Sequence, residues 1–135
     1  MERLIFIIDD DHVYLNFMKS HFRQMKEYNV ETYPNGDDAL SALGTKTPFM
    51  IILDHNLSDS TKNGTYYLKH IKKLKPEVPV VYITADSSDI LKKQTAKLGA
   101  SSHIVKSESS LIHLRTAIDE IVTPKKKGLL SKLFK

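Results

Sequence analysis

Residues 3–10 read Arg3-Leu4-Ile5-Phe6-Ile7-Ile8-Asp9-Asp10, so that an unbroken apolar run ends in two carboxylates. Such a run is typical of a strand buried on both faces, as strands of parallel sheets are. Comparable runs span Phe49–Leu53 and Val78–Ile83, and shorter ones span Val30–Tyr33 and Ser102–Val105. The sequence therefore predicts five strands of one parallel sheet.

Each predicted strand is followed by a helical pattern. Apolar residues recur at helical spacing in five segments, residues 12–26, 35–43, 64–75, 87–98 and 109–122. Asp11 is the predicted N-cap of the first segment, and Pro124 follows the last. Five strand–helix repeats predict an α/β fold with a doubly wound parallel sheet and right-handed crossovers.

Composition and charge divide the chain into a domain and a tail. With 135 residues, 41% of them hydrophobic and 27% charged, the chain fits one globular domain. The absence of cysteine excludes disulfide and thiol chemistry. Five of the 20 basic residues and none of the 16 acidic ones lie after residue 123, so residues 1–123 carry a net charge of −1 and residues 124–135 carry +5. We expect a domain of residues 1–123 and a basic tail of residues 124–135.

Polar groups of particular kinds end four of the strands. Asp9 and Asp10 follow the first, Asp54 the third, Thr84 the fourth and Lys106 the fifth. The carboxyl ends of parallel strands meet at one edge of a sheet, where such folds bind ligands. Clustered carboxylates suit Mg²⁺, an aspartate can attack phosphorus, and hydroxyl and ammonium groups can bind phosphoryl oxygens. Each residue alone is as typical of a turn, a helix cap or a solvated surface, so the predicted site rests on their joint placement.

Several segments near these strand ends are similar to the receiver domain of bacterial two-component response regulators, the CheY-like family. They are Ile7–Asp11, Asn35–Leu40, Ile51–Asp54, Ile83–Ala85, and Gly99-Ala100 with Ile104–Lys106. The resemblance covers about residues 2–123. It implies a flavodoxin-like (βα)5 fold whose five-stranded parallel sheet has the order 2-1-3-4-5.

The resemblance also implies a function for the carboxylates. Asp54 would accept a phosphoryl group from a histidine kinase or a histidine phosphotransfer protein in a Mg²⁺-dependent reaction. Asp10, Asp54 and the backbone carbonyl of Asn56 would bind Mg²⁺ directly, and Asp9 would bind it through water. The protein would act in the cytoplasm as a signalling switch, and not as an enzyme beyond self-catalysed phosphoryl transfer and slow autodephosphorylation.

The same resemblance assigns the phosphoryl-binding and switch positions. Thr84 and Lys106 would bind the phosphoryl oxygens. His103, three residues before Lys106, stands where the family usually has Tyr or Phe. A histidine there would either titrate near neutral pH and add charge at the output face, or be a simple surface substitution.

Two further departures from the family pattern lie beside the predicted site. Leu57-Ser58 stand where Met-Pro is usual, and Asn63-Gly64 come about two residues late, so the loop after Asp54 is longer and polar. Ser107 follows Lys106 where the family usually has Pro, a residue that favours a cis peptide bond. The longer loop predicts an altered hydrolysis rate or partner choice, and the shape of the turn at Ser107 stays open.

The tail reads as a basic amphipathic helix that resembles the C-terminal membrane-targeting helix of the division ATPase MinD over about ten residues. Its predicted contact residues are Lys125, Lys126, Lys127, Leu129, Leu130, Leu133 and Phe134. We expect it to bind an anionic membrane or a partner protein, and membrane binding would place the protein peripherally at the inner membrane face. A disordered basic end, a helix packed on the domain and a non-specific nucleic-acid contact are the alternatives; no specific nucleic acid is expected.

Three functional hypotheses follow from these patterns. The first is a stand-alone, single-domain receiver that switches contacts with an unknown downstream protein. Its alternative is a phosphorylation-independent interaction module, tethered to a membrane or partner by the tail. A third is a phosphatase of the haloacid dehalogenase kind, for which Asp9 and Asp11 have the required spacing, although Val13 is not the expected Thr and the chain is short for that fold.

Overall fold

The computed structural model describes residues 3–57 and 62–123 and contains every predicted element. The strands are β1 (Arg3–Ile8), β2 (Tyr28–Tyr33), β3 (Met50–Asp54), β4 (Val80–Thr84) and β5 (Ser102–Val105). The helices are α1 (His12–Arg23), α2 (Gly36–Leu43), α3 (Gly64–Leu74), α4 (Asp89–Lys97) and α5 (Ser110–Val122). The tail, with its seven predicted contact residues, and Ser58 lie outside the described residues.

The strands form one parallel sheet in the order β2-β1-β3-β4-β5, which confirms the predicted topology. Neighbouring strands end level with one another: Ile8 pairs with Leu53, Asp54 with Ile83, and Thr84 with Val105. The residues at these strand ends therefore meet at one edge of the sheet. The strand order reverses between β1 and β3: β2 lies on the far side of β1, whereas β4 and β5 follow on the far side of β3.

Alternating side chains of the strands build two apolar cores, one on each face of the sheet. Ile5 and Ile7 belong to the core that packs against α1 and α5, whereas Phe6 and Ile8 belong to the core under α2 and α3. All four are at most 1% exposed. Complete burial of such side chains stabilises the fold by about 1.5–3 kcal/mol each, which makes β1 a rigid support for the acidic residues that follow it.

The element bounds have local causes. Asp11 caps α1, as predicted, because its side chain accepts the backbone N–H groups of Val13 and Tyr14 at 3.0 and 3.3 Å. The helix ends at Arg23 and not at residue 26, since the Met25 N–H turns back to the Phe22 carbonyl. Strand β4 begins at Val80 and not at Val78, because Pro79 has no N–H to donate to the hydrogen bonds between strands.

Among the described residues, no helix has both the length and the apolar character needed to cross a membrane.

Candidate functional site

The structure brings the three predicted carboxylates together at the carboxyl edge of the sheet. Asp9, Asp10 and Asp54 each place one oxygen within 4.8 Å of the others. Asp9 follows β1, where its N–H donates to the Tyr33 carbonyl, and its Oδ1 accepts the Asp11 N–H at 3.0 Å. Asp9 and Asp54 are only 2% and 3% exposed. The topology alone was therefore sufficient to predict this cluster.

Lys106 is the cation of the cluster. Its Nζ lies 3.0 Å from Asp54 Oδ1 and 3.4 Å from Asp9 Oδ2. The backbone places it there, because its N–H donates to the Thr84 carbonyl at 2.7 Å. Burial lowers the pKa of the ammonium, but its close contact with the Asp54 carboxylate and the charges of Asp54 and Asp9 outweigh this effect and raise the pKa. Lys106 is therefore charged throughout the neutral range.

One cation does not balance three carboxylates. Burial, and after it the charge of Asp9, raises the pKa of Asp54 to about 6, although Lys106 opposes this shift. Burial also raises the pKa of Asp9. Within the described residues, the buried Asp54 Oδ1 receives no well-directed hydrogen bond, despite its ion contact with Lys106. A hard divalent cation such as Mg²⁺ fits this set of oxygens and would relieve their repulsion.

Thr84 ends β4 and is completely buried. Its Oγ1 accepts the Asp86 N–H at 2.9 Å, which holds the loop after the strand. The cap of the next helix is Ser88, whose Oγ accepts the Leu91 N–H, so Thr84 is not needed for that purpose. Its hydroxyl is positioned by the strand and not by a helix end.

His103 is partly buried and contacts both β4 and α4. Its Nδ1 lies 2.9 Å from Thr95 Oγ1 of α4, and its ring stacks on Tyr82 with centroids 5.8 Å apart. Its Nε2 is buried without a partner among the described residues. Burial, and after it the charges of Lys92 and His55, lowers the pKa of the imidazole. Burial therefore favours the neutral form of the ring and works against a gain of charge at this position.

Tyr82 links two residues whose contacts the sequence did not predict. It is fully buried, and its hydroxyl forms a hydrogen bond with Nδ1 of His55, the residue directly after Asp54. The His103 ring stacks on the ring of the same tyrosine. The only sequence signal for this link is the spacing, because Tyr82 lies two residues before Thr84 and points to the same face of β4.

The loop after Asp54 is closed by a backbone contact. The Gly64 N–H donates to the His55 carbonyl at 2.9 Å, and Asn63 caps α3 by accepting the Thr65 and Tyr66 N–H groups. Asn56 is exposed, and its carbonyl as a metal ligand stays a prediction.

Serine hydroxyls hold the turn after Lys106. The Lys106–Ser107 peptide bond is trans. Ser110 Oγ accepts the Ser107 N–H at 2.6 Å and donates to the Ser107 carbonyl at 2.7 Å. The turn that was left open by the sequence is thus a compact one in which Ser110 binds both backbone groups of Ser107.

Residues 5–119 match the family described as the response regulator receiver domain. The transcriptional regulatory protein CssR of Bacillus subtilis (strain 168) is 30% identical over 106 residues, which are 78% of this chain and 45% of that protein. ZraR of Salmonella typhimurium is 29% identical over 102 residues, which are 76% of this chain and 22% of that protein. The chain thus spans less than half the length of these curated relatives.

A solved structure confirms the fold. The CheY-like receiver domain protein from Methanospirillum hungatei JF-1 superposes with a TM-score of 0.82 at 22% identity, covering 94% of this chain and 99% of that one. A response regulator from Burkholderia pseudomallei, described with a phosphorylated aspartic acid, a calcium ion and citrate, has a TM-score of 0.77 at 20% identity, with 96% and 75% covered. Because the family match extends over most of the chain and the sheet has the order of that family, the chain belongs to the response regulator receiver domain family of two-component signalling.

Proposed function

We propose that this receiver is a phosphoacceptor in which Asp54 takes a phosphoryl group from a phosphohistidine of a histidine kinase or a histidine phosphotransfer protein. Phosphorylation on aspartate is characteristic of the family. The observation that carries the proposal is the buried Asp54 Oδ1, which lies 3.0 Å from Lys106 inside a cluster of three carboxylates. An oxygen without a well-directed hydrogen bond is available for a new bond.

The cluster also suits the cation that receiver domains use. They bind Mg²⁺ at an acidic pocket, and here Asp10, Asp54 and the Asn56 carbonyl would hold it directly, with Asp9 acting through water. When bound, the cation supplies positive charge for the oxygens of the phosphoryl group. A pKa of about 6 leaves most Asp54 side chains ionised at pH 7 even without the cation.

The chain's own residues account for the transfer step. An Asp54 oxygen attacks phosphorus, the P–N bond of the phosphohistidine breaks, and its electron pair returns to the imidazole. The Lys106 ammonium moves from the carboxylate to a phosphoryl oxygen, and the Thr84 hydroxyl donates to another. Movement of the Thr84 and His103 side chains would then alter the surface that a downstream protein contacts. That the receiver acts without an output domain stays a prediction.

Adduct formation tests the phosphoacceptor proposal. The protein is incubated with Mg²⁺ and either acetyl phosphate or beryllofluoride, and the adduct is detected by intact mass or by fluorine NMR. We expect one adduct on the native chain and on the control Asp119→Asn, whose side chain is exposed on α5, and none on Asp54→Ala. Absence of an adduct on the native chain would overturn the proposal.

For the tail we propose weak, reversible binding to an anionic membrane. The support is its sequence alone: three consecutive lysines precede four apolar residues that share a helical face. Near an anionic leaflet each lysine contributes about 1 kcal/mol. Co-sedimentation with anionic and with neutral vesicles, with and without residues 124–135, tests this. Equal sedimentation of the two chains with anionic vesicles would exclude it.

A further inference from the structure

The Lys106 ammonium has a third neighbour besides Asp9 and Asp54. Its Nζ lies 4.4 Å from the centroid of the Tyr14 ring. A cation within about 6 Å of an aromatic face is attracted by the ring quadrupole, and the attraction grows when the pair is shielded from water. The Lys106 side chain is only 28% exposed, and Tyr14 is half-buried. The ring is therefore a partner of Lys106 that carries no charge.

Tyr14 is itself fixed by the groups that line the site. The Asp11 carboxylate accepts the Tyr14 N–H, and the Asp9 carboxylate accepts the Asp11 N–H. The other oxygen of Asp9 contacts Lys106. Asp9, Asp11, Tyr14 and Lys106 thus form a closed circuit of contacts. The ring also packs against the core between the sheet and α1 with α5, so it has little freedom to move away.

We infer that Tyr14 is a positioning residue that holds the Lys106 ammonium beside the place where the phosphoryl group arrives. This inference rests on the proposed function. When Asp54 becomes an acyl phosphate, Lys106 loses the carboxylate charge that holds it most closely. Tyr14 and Asp9 remain, and they keep a long flexible side chain within reach of the phosphoryl oxygens. Without the ring, the ordering of that side chain would have to take place during the reaction.

Three variants separate the ring from the rest of helix α1. Tyr14→Phe keeps the aromatic face, Tyr14→Leu removes it, and Phe17→Leu changes a neighbouring ring that is not over Lys106. The measurements are the beryllofluoride concentration for half-saturation with Mg²⁺ and the rate of phosphorylation by acetyl phosphate. We expect a loss of about 3- to 30-fold for Tyr14→Leu and a change below about twofold for the other two. An equal loss in Tyr14→Leu and Phe17→Leu would overturn the inference.

Two further measurements exclude a purely structural effect of the Leu substitution. In a Lys106→Met background, Tyr14→Leu should cause no additional loss, since the ring acts through the ammonium. By NMR, the ε-methylene protons of Lys106 should be shifted upfield by the ring in the native chain and in Tyr14→Phe, and unshifted in Tyr14→Leu. Unshifted protons in the native chain would contradict the contact itself. A native chain that shows this shift but forms no beryllofluoride adduct would instead overturn the proposed function.

Discussion

Asp54 is held in surroundings that do not favour its charged form. It is 3% exposed, and Asp9 and Asp10 each place an oxygen within 4.8 Å of one of its own. The ammonium of Lys106 offsets only part of the cost, because the pKa of Asp54 stays raised, to about 6. Functional sites often carry such perturbed groups, and the perturbation is a free-energy cost to the folded state.

The raised pKa predicts that Asp54→Asn is more stable than the native chain in the absence of divalent cations. Between about pH 4 and pH 6 the folded protein binds more protons at this site than the unfolded chain, so the site's contribution to the free energy of unfolding falls as pH rises through this window. At pH 8 we expect a gain on the order of 3 kcal/mol for the variant. Near pH 4 the gain should disappear.

Urea denaturation with a chelator present, repeated across this pH range, measures the difference. Asp119→Asn, with an exposed carboxylate removed, is the matched control and should follow the pH dependence of the native chain. A gain for Asp54→Asn that is the same at pH 4 and pH 8 would show that the charge of Asp54 is not its cause.

Single residues differ in how well the sequence predicts them. Asp9, Asp10, Asp54 and Lys106 were found because each follows a strand, and parallel topology carries strand ends to one edge. Tyr14 contacts Lys106 across more than ninety residues of chain. Such a contact depends on the exact rotation of α1 about its axis. The apolar periodicity shows only which face of the helix packs on the sheet, and not this rotation.

At the scale of elements, the junction of β3, β4 and α3 is packed without spare volume. A Cβ atom on Gly64 would lie 2.5 Å from the Tyr82 hydroxyl and 2.7 Å from the Asp54 carbonyl oxygen. Helix α3 therefore starts directly against the strand that carries Asp54. Only a residue without a side chain permits this approach.

We expect Gly64→Ala to destabilise the fold by about 1–3 kcal/mol, because the added carbon meets the buried Tyr82 side chain and backbone of β3 and the loop after it. It should also weaken beryllofluoride binding, since the displaced backbone belongs to Asp54 and His55. Gly44→Ala is the control: its Cβ would meet only the Ser41 carbonyl, at 3.2 Å, and its φ of −65° suits any residue. Thermal unfolding of both variants tests this expectation. Equal melting temperatures of Gly64→Ala and Gly44→Ala would refute the packing argument.

The element types were predicted correctly from periodicity, whereas the ends depended on local chemistry. Helix α2 begins at Gly36 because Asn35 is its cap, and α4 begins at Asp89 because Ser88 caps it. A periodic pattern does not state which polar residue accepts the first helical N–H groups. For the same reason the turn after β4, in which the Thr84 hydroxyl accepts the Asp86 N–H, was not predicted.

At the scale of the whole molecule, the acidic edge couples parts of the sheet that are far apart in sequence. Asp9 and Asp10 follow β1, Asp54 ends β3, and Lys106 follows β5. Their repulsion opposes folding, and a cation that binds only the folded arrangement should reverse this effect. Ligand binding of this kind stabilises a protein by mass action.

We therefore expect Mg²⁺ to raise the melting temperature of the native chain at pH 7.5. At a concentration one hundred times its dissociation constant, the ion should add about 2.7 kcal/mol to the free energy of unfolding. Asp10→Asn should show a smaller rise, and Asp54→Asn little rise. Sodium chloride at equal ionic strength separates specific binding from screening. A similar rise with sodium would mean that the carboxylates do not form a Mg²⁺ site.

The sheet order was predicted because a family resemblance covered the domain, and the match over residues 5–119 confirms the family. The kinase, the downstream protein and the role of the tail were not predictable to the same extent. Partner choice depends on how the shape and charge of this protein's surface match those of another molecule. The sequence of this protein does not describe that other molecule.

The two outer strands have a consequence for self-association. β2 carries Asn29 and Glu31, and Glu31 is paired with Lys46 at 2.8 Å, while β5 has only four residues. Short or charged border strands are poor templates for adding a further strand from another copy. Two copies of this protein should therefore meet through their helices, and the backbone hydrogen-bonding groups at either border should resist fibrillar growth.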